Sequence, residues 1–387
     1  MRKIYLHKRF DSFDNMVSSN INSNPFMPSF GRIPPMVLDQ RSVMDNYLLR
    51  LNLGDAKYQT SLVYGVRGSG KTVFLLNVQR NFEKEKKHYF VRLNLGQGNL
   101  LFQLLSNLQE ISGTNWSEIL KSVQEINILG NSISFQDAQN DVPINYSVVL
   151  QKLLTKFKAR GISVLVGIDE IEVSDDIRSF ASVYQTLIGQ DLDISLIMTG
   201  LPSRIFELQH EKTLTFLLRS NRIYLKPLDK ISIRENYASA FEKGGKKIDP
   251  LVLDRLVDSV RGYAYAFQTI GYYAWDQSED YIDSSIADGA LASAKSDLYQ
   301  NAYEKLYTEV SDKDRELLDV IASAKKEKVP ISFLLDKFDN RKNYLSVYRA
   351  RLLDDQLIFV PERGYVSLAL PFFADFIVWY KERHLLD

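Results

Sequence analysis

One stretch, Gly65-Val-Arg-Gly-Ser-Gly-Lys-Thr72, constrains this chain more than any other. It follows the short apolar run Ser61-Leu-Val-Tyr64 and opens a helical pattern over Lys71–Phe82, after which His88–Leu93 is apolar again. Strand, glycine-rich turn, helix and strand begin a parallel α/β sheet. The spacing fits G-x-x-x-x-G-K-[ST] in the context that pattern requires. Glycines let successive backbone N–H groups turn inward around phosphate oxygens, and the positive end of the following helix faces the same anion. Gly65, Val66, Arg67, Gly68, Ser69, Gly70, Lys71, Thr72 and Val73 therefore form the candidate ATP cradle. Lys71 would bridge the terminal phosphates, and the Thr72 hydroxyl would hold Mg²⁺.

About a hundred residues later, Val164-Leu-Val-Gly-Ile-Asp-Glu170 is a strand pattern apolar on both faces that ends in two carboxylates. Two carboxylates beside a phosphate repel unless a cation lies between them, so the pair implies Mg²⁺. Asp169 is the candidate metal ligand and Glu170 the base that orients and deprotonates a water. Thr199 ends another buried strand pattern, Ser195-Leu-Ile-Met-Thr199, where its hydroxyl would serve that water or the terminal phosphate. Arg219 precedes a fifth strand and is the candidate to stabilise charge on a neighbouring subunit's nucleotide.

The chain has 387 residues, 48 Lys+Arg against 48 Asp+Glu, and a 45% hydrophobic fraction, so it can bury a core in two or three domains. A formal net charge of zero argues against wholesale coating of nucleic acid and leaves room only for a local basic face. Having no cysteine excludes disulfides, thiolate metal sites and Cys nucleophiles. His7, His88, His210 and His384 include no pair at metal-ligand spacing. The first residues lack the apolar run of a signal peptide, and no apolar stretch is long enough to span a bilayer, so a cytoplasmic protein without membrane contact is expected.

Composition shifts mark out the organisation. Residues 1–36 read as an extended Asn/Ser/Pro-rich lead-in, 37–226 as the α/β domain, 227–308 as a small all-α unit, and 309–387 as three helices followed by two strands. Within 37–226, Ile126–Phe135 alternates around a Gly-Asn turn and predicts a β-hairpin. Three helices and a β-hairpin make a winged helix-turn-helix. Its second helix would carry Arg341, Lys342, Asn343, Ser346 and Arg349 toward DNA, with Arg363 at the wing tip and Leu345, Val347, Tyr348 and Leu352 facing inward. Basic and acidic residues nearly balance in 301–387, so the alternative is a winged helix used for protein contacts. Pro371–Tyr380 predicts a helix that docks the winged domain back onto the body.

The loop GVRGSGKT, the strand VLVGIDE, the segments MTGLPSR and FLLRSNRIYLKPL, the helical lid and the winged end together resemble AAA+ ATPases of the origin-recognition and replication-initiator clade. The resemblance runs from about Asn24 to Leu370. It implies a P-loop NTPase parallel sheet of AAA+ type with an all-α lid and a C-terminal winged helix. Adenine would lie between Pro35–Arg41, with Val37 and Arg41 as contacts, and the lid. Two departures stand out: Thr199-Gly200 replaces the usual sensor Asn, and Gly262-Tyr-Ala-Tyr-Ala-Phe267 lacks the second-sensor Arg, leaving Tyr265 near its position. The function so implied is a slow ATP hydrolase with Mg²⁺ that acts as a nucleotide-switched, DNA-binding, replication-initiator-like protein, possible also as a homo-oligomer. The alternative is a signalling NTPase controlling a protein partner, in a mobile-element or phage-defence system.

Overall fold

The computed structural model describes residues 23–29, 32–36, 41–113 and 145–384. The hairpin predicted at Ile126–Phe135 and the candidate Val37 lie outside the described residues. The described residues fall into two compact units. One takes those of Gln40–Lys226 and Lys328–Ser367, the other those of Met1–Asp39, Pro227–Glu327 and Leu368–Asp387.

Five parallel strands centre the first unit: β1 (Thr60–Tyr64), β2 (His88–Leu93), β3 (Ser163–Ile168), β4 (Ile194–Gly200) and β5 (Asn221–Tyr224), in the order β2-β3-β4-β1-β5. β4 is buried along its whole length, and β3 is buried from Val164 onward. Both read as continuous apolar runs because helices cover both faces of a parallel sheet. On one face Val63, Leu165, Ile197 and Phe90 meet Phe74, Leu75, Val78 and Phe82 of helix Lys71–Phe82, and Tyr47 of helix Arg41–Asn52. On the other, Leu62, Val91, Val166 and Leu196 meet helices Leu100–Ser112, Tyr146–Ala159 and Asp175–Ile188. Gly167 must lack a side chain: a Cβ there would stand 2.2 Å from Phe90 Cζ.

The same unit holds helices Ile331–Lys337 and Lys342–Asp354 with a small sheet, Val329–Pro330, Tyr365–Leu368 and Ile358–Phe359 in that spatial order. The wing thus has three strands where the sequence predicted two, because the Val329-Pro330 pairing is too short to leave a period. Leu345 and Leu352 are buried as expected, but Val347 is 56% exposed, one residue round the helix from where its apolar character suggested. The Asp355 carboxylate accepts from Ser203 N–H at 3.1 Å, capping the first turn of helix Pro202–His210.

The second unit packs helices Lys230–Lys243, Pro250–Val260, Ala264–Asp276 and Ser284–Leu298. A two-residue parallel pair, Lys247–Ile248 with Tyr281–Ile282, also occurs where no strand was expected. Helix Ser284–Leu298 runs through a π-helical turn at Tyr299–Tyr303 into helix Glu304–Glu309. Helix Phe373–His384 packs inside this unit, with Phe376 against Tyr299, Tyr303 and Tyr307, and so does helix Asp312–Ser323. The lead-in contributes to the core as well. Phe26 is 2% exposed among Tyr237, Phe241 and Phe267, and its ring occupies the space a Cβ on Gly271 would need.

Candidate functional site

The register of the sheet brings the two sequence signals together. β4 lies between β1, which feeds the glycine-rich loop, and β3, which ends in Asp169-Glu170. Thr199 pairs with Val63 across the β1–β4 ladder, and Ile168 pairs with Met198 across β3–β4. Loop, hydroxyl and acids therefore share the C-terminal edge of the sheet, where parallel α/β folds place ligands.

In the loop, Gly68 (φ 77°) and Gly70 (φ 90°) are left-handed, a conformation that costs glycine little. A Cβ on Gly65 would lie 2.6 Å from Ser69 Oγ and 3.3 Å from Leu225 O, so a side chain there would displace Ser69. Gly70 caps helix Lys71–Phe82 and supplies no side-chain acceptor to its first turn, which carries the N–H groups of Lys71, Thr72 and Val73. Such a turn suits an anion. Lys71 Nζ is folded back onto the loop, donating to Gly65 O and Val66 O at 2.9 Å each. Burial lowers its pKa to about 8, against the opposing pull of Asp169 and Glu170, while Arg67 adds to the lowering. A buried ammonium resting on two carbonyls is better matched by phosphate oxygens.

Asp169 is held from several sides. Thr199 donates its hydroxyl proton to Oδ1, and the Glu170 N–H reaches both that oxygen (3.1 Å) and Thr199 Oγ1 (3.3 Å). Thr199, expected to serve the attacking water or the terminal phosphate, is thus committed to the acid pair in this structure. Its neighbour Glu170 takes φ 53°, an uncommon conformation for a residue with a side chain, and its side chain is exposed. On Asp169 Oδ2 sits Arg92 of β2, at 3.2 Å. The sequence reading missed Arg92. No motif marks it, and the contact depends on β2 lying beside β3 with Arg92 opposite Gly167.

The donor set fits Mg²⁺. Thr72 and Asp169 supply a neutral and an anionic oxygen, the hard ligands this ion takes, on either side of β4.

The other candidates are placed as follows. Arg219 is exposed at the end of the 3₁₀ segment Lys212–Arg219 and makes no ion pair among the described residues. Arg41 begins helix Arg41–Asn52 and is exposed. Tyr265 belongs to the helical unit, where its hydroxyl donates to Asp297 at 2.8 Å; burial and then the Asp297 carboxylate push its pKa up. Arg341, Lys342, Asn343, Ser346 and Arg363 are exposed, and Arg349 is half-buried.

Two solved structures resemble this one along most of its length. The ORC2 protein of Aeropyrum pernix, in ADPNP–ADP complexes, matches 93% of this chain and 98% of its own, with TM-score 0.59 at 15% identity. A Walker-type ATPase of Pyrococcus abyssi matches 88% and 96%, with TM-score 0.58 at 14% identity. The likeness is one of fold: a five-stranded parallel α/β sheet of the P-loop, AAA+ type. A family model described as "Domain of unknown function (DUF8462)" matches residues 300–377. No curated protein sequence matches the chain. No helix among the described residues is long and apolar enough to cross a membrane.

Proposed function

We propose that this chain binds ATP with Mg²⁺ and hydrolyses it slowly, and that nucleotide state switches its grip on duplex DNA through the winged helix. The observation that carries the reading is the strand order: β1 leads into the glycine-rich loop, β3 into Asp169-Glu170, and β4 between them brings Thr199 to the same edge. The loop N–H groups and Lys71 would hold the phosphates. Thr72 and Asp169 would hold Mg²⁺, which when bound neutralises phosphate charge. Glu170 takes a proton from the water that attacks the terminal phosphorus, as the bond to the leaving ADP oxygen breaks. Thr199 and the Glu170 N–H hold the Asp169 carboxylate, and that contact anchors the Glu170 backbone beside it. Arg219, exposed at the end of its 3₁₀ segment, would complete a neighbouring copy's site, and Val37, Arg41 and Tyr265 are the candidates for the base. A cytoplasmic location agrees with this role.

Glu170→Gln should keep ATP binding and reduce single-turnover hydrolysis by roughly 10²–10⁴-fold. Lys71→Ala should abolish binding of a fluorescent ATP analogue. Normal hydrolysis by Glu170→Gln would overturn the base assignment. Duplex binding measured across salt concentrations, with and without ATP, tests the switch; an absence of binding at low salt removes it.

A protein partner is the second reading, and the face of helix Lys342–Asp354 supports it. Val347 is exposed between Lys342 and Arg351, and Phe359 and Val360 are exposed on the wing. Apolar residues there suit a protein surface as well as thymine methyl groups. Val347→Asp would then weaken a protein complex; retention of duplex binding in that variant would favour this reading.

A further inference from the structure

The two oxygens of Asp169 are not equivalent. Oδ1 is taken by the Thr199 hydroxyl and the Glu170 N–H, groups that also hold the backbone of the acid pair in place. Among the described residues Oδ2 has a single partner, Arg92, through one guanidinium nitrogen at 3.2 Å. A metal that binds Asp169 without dismantling the acid pair must therefore use Oδ2, where Arg92 already sits.

Arg92 is built to be displaced. It reaches Asp169 by one N–H and not by the two-pronged contact that makes Arg–carboxylate pairs strong. Its Nε is buried and has no acceptor among the described residues. The pair is partly shielded, with side-chain exposures of 34% for Arg92 and 13% for Asp169, so it stabilises the carboxylate without sealing it.

We propose that Arg92 is a resident counter-cation at the metal position: it neutralises Asp169 until a divalent ion arrives with the nucleotide, and metal entry and loss of the ion pair are one event. The inference rests on the nucleotide reading above and adds a linkage to it. Whatever free energy the ion pair contributes is subtracted from metal binding. Arg92 thus weakens metal affinity in the wild type and spares the empty site an uncompensated carboxylate. It acts through Asp169, as a positioning residue.

The test uses the full chain in excess over ATP, with Mn²⁺ titrated and protein-bound Mn²⁺ read by electron paramagnetic resonance. Arg92→Gln should lower the half-saturating Mn²⁺ concentration by roughly threefold to tenfold. In an Asp169→Asn background the same change should do nothing, because the shared carboxylate is gone. Should Arg92→Gln not fold, as judged by thermal unfolding, Arg92→Met makes the same comparison. An unchanged or raised half-saturation in the single variant overturns the proposal. An equal drop in both backgrounds also overturns it, since that is the signature of a general positive field. Binding of a fluorescent ATP analogue at saturating Mg²⁺ tests the underlying reading by itself. If the wild type binds no nucleotide, both conclusions fall; if it binds with a metal dependence indifferent to Arg92, only this one does.

Discussion

At the scale of single residues, the Lys71 ammonium is buried on the Gly65 and Val66 carbonyls, and burial lowers its pKa from 10.5 to about 8. The sign of the consequence follows from proton counting. Below pH 8 both folded and unfolded chains hold the proton, and the folded chain carries the cost of a buried charge. Between pH 8 and 10.5 the unfolded chain binds more protons, so stability rises with pH, and above 10.5 the rise ends. Lys71 should therefore add up to about 1.4 kcal/mol per pH unit across that window. Comparing chemical denaturation of the wild type and Lys71→Met from pH 7 to 10 isolates this term from the tyrosines that titrate nearby. Identical slopes would place the ammonium in water.

At the scale of elements, helix Ala264–Asp276 shows how a local rule is broken for a distant partner. Gly271 weakens a helix interior, but any side chain there would collide with Phe26, whose nearest ring carbon would be 2.5 Å from a Cβ. Asn24 Nδ2 donates to Tyr272 O, Met27 N–H donates to Gln268 Oε1, and Gln268 Nε2 donates to Met36 O. The lead-in is thus stitched to that one helix. Phe26→Ala should destabilise the helical unit by about 3–5 kcal/mol, measured by denaturant unfolding. A loss below 1 kcal/mol would mean the ring is dispensable. The sequence reading took these residues for an extended lead-in because a single anchoring aromatic creates no periodicity.

At the scale of the whole molecule, the chain returns to its first unit after leaving it: Lys328–Ser367 rejoins Gln40–Lys226, while the flanking helices Asp312–Ser323 and Phe373–His384 pack elsewhere. One join is the Asp355 cap on helix Pro202–His210, which directly follows the strand carrying Thr199. Asp355→Ala should cost about 0.5–2 kcal/mol and speed hydrogen exchange at the Ser203 amide. Protection unchanged at Ser203 would show that this cap is not made in solution.

The loop around Lys71 and the acids at 169–170 were legible because their chemistry is local. Left-handed turns need glycine within a few residues, and a buried parallel strand must be apolar on both faces. The helices and sheet strands were legible for the same reason of period. Arg92, Phe26 and the third wing strand were not, since each matters only through a partner 35 to 245 residues away in sequence, and no short-range pattern encodes it. The sequence alone determined which residues could meet a phosphate and a metal. Only the tertiary structure decided that Thr199 and Arg92 divide the oxygens of Asp169 between them, because strand order and register, not spacing along the chain, set which side chains share an edge.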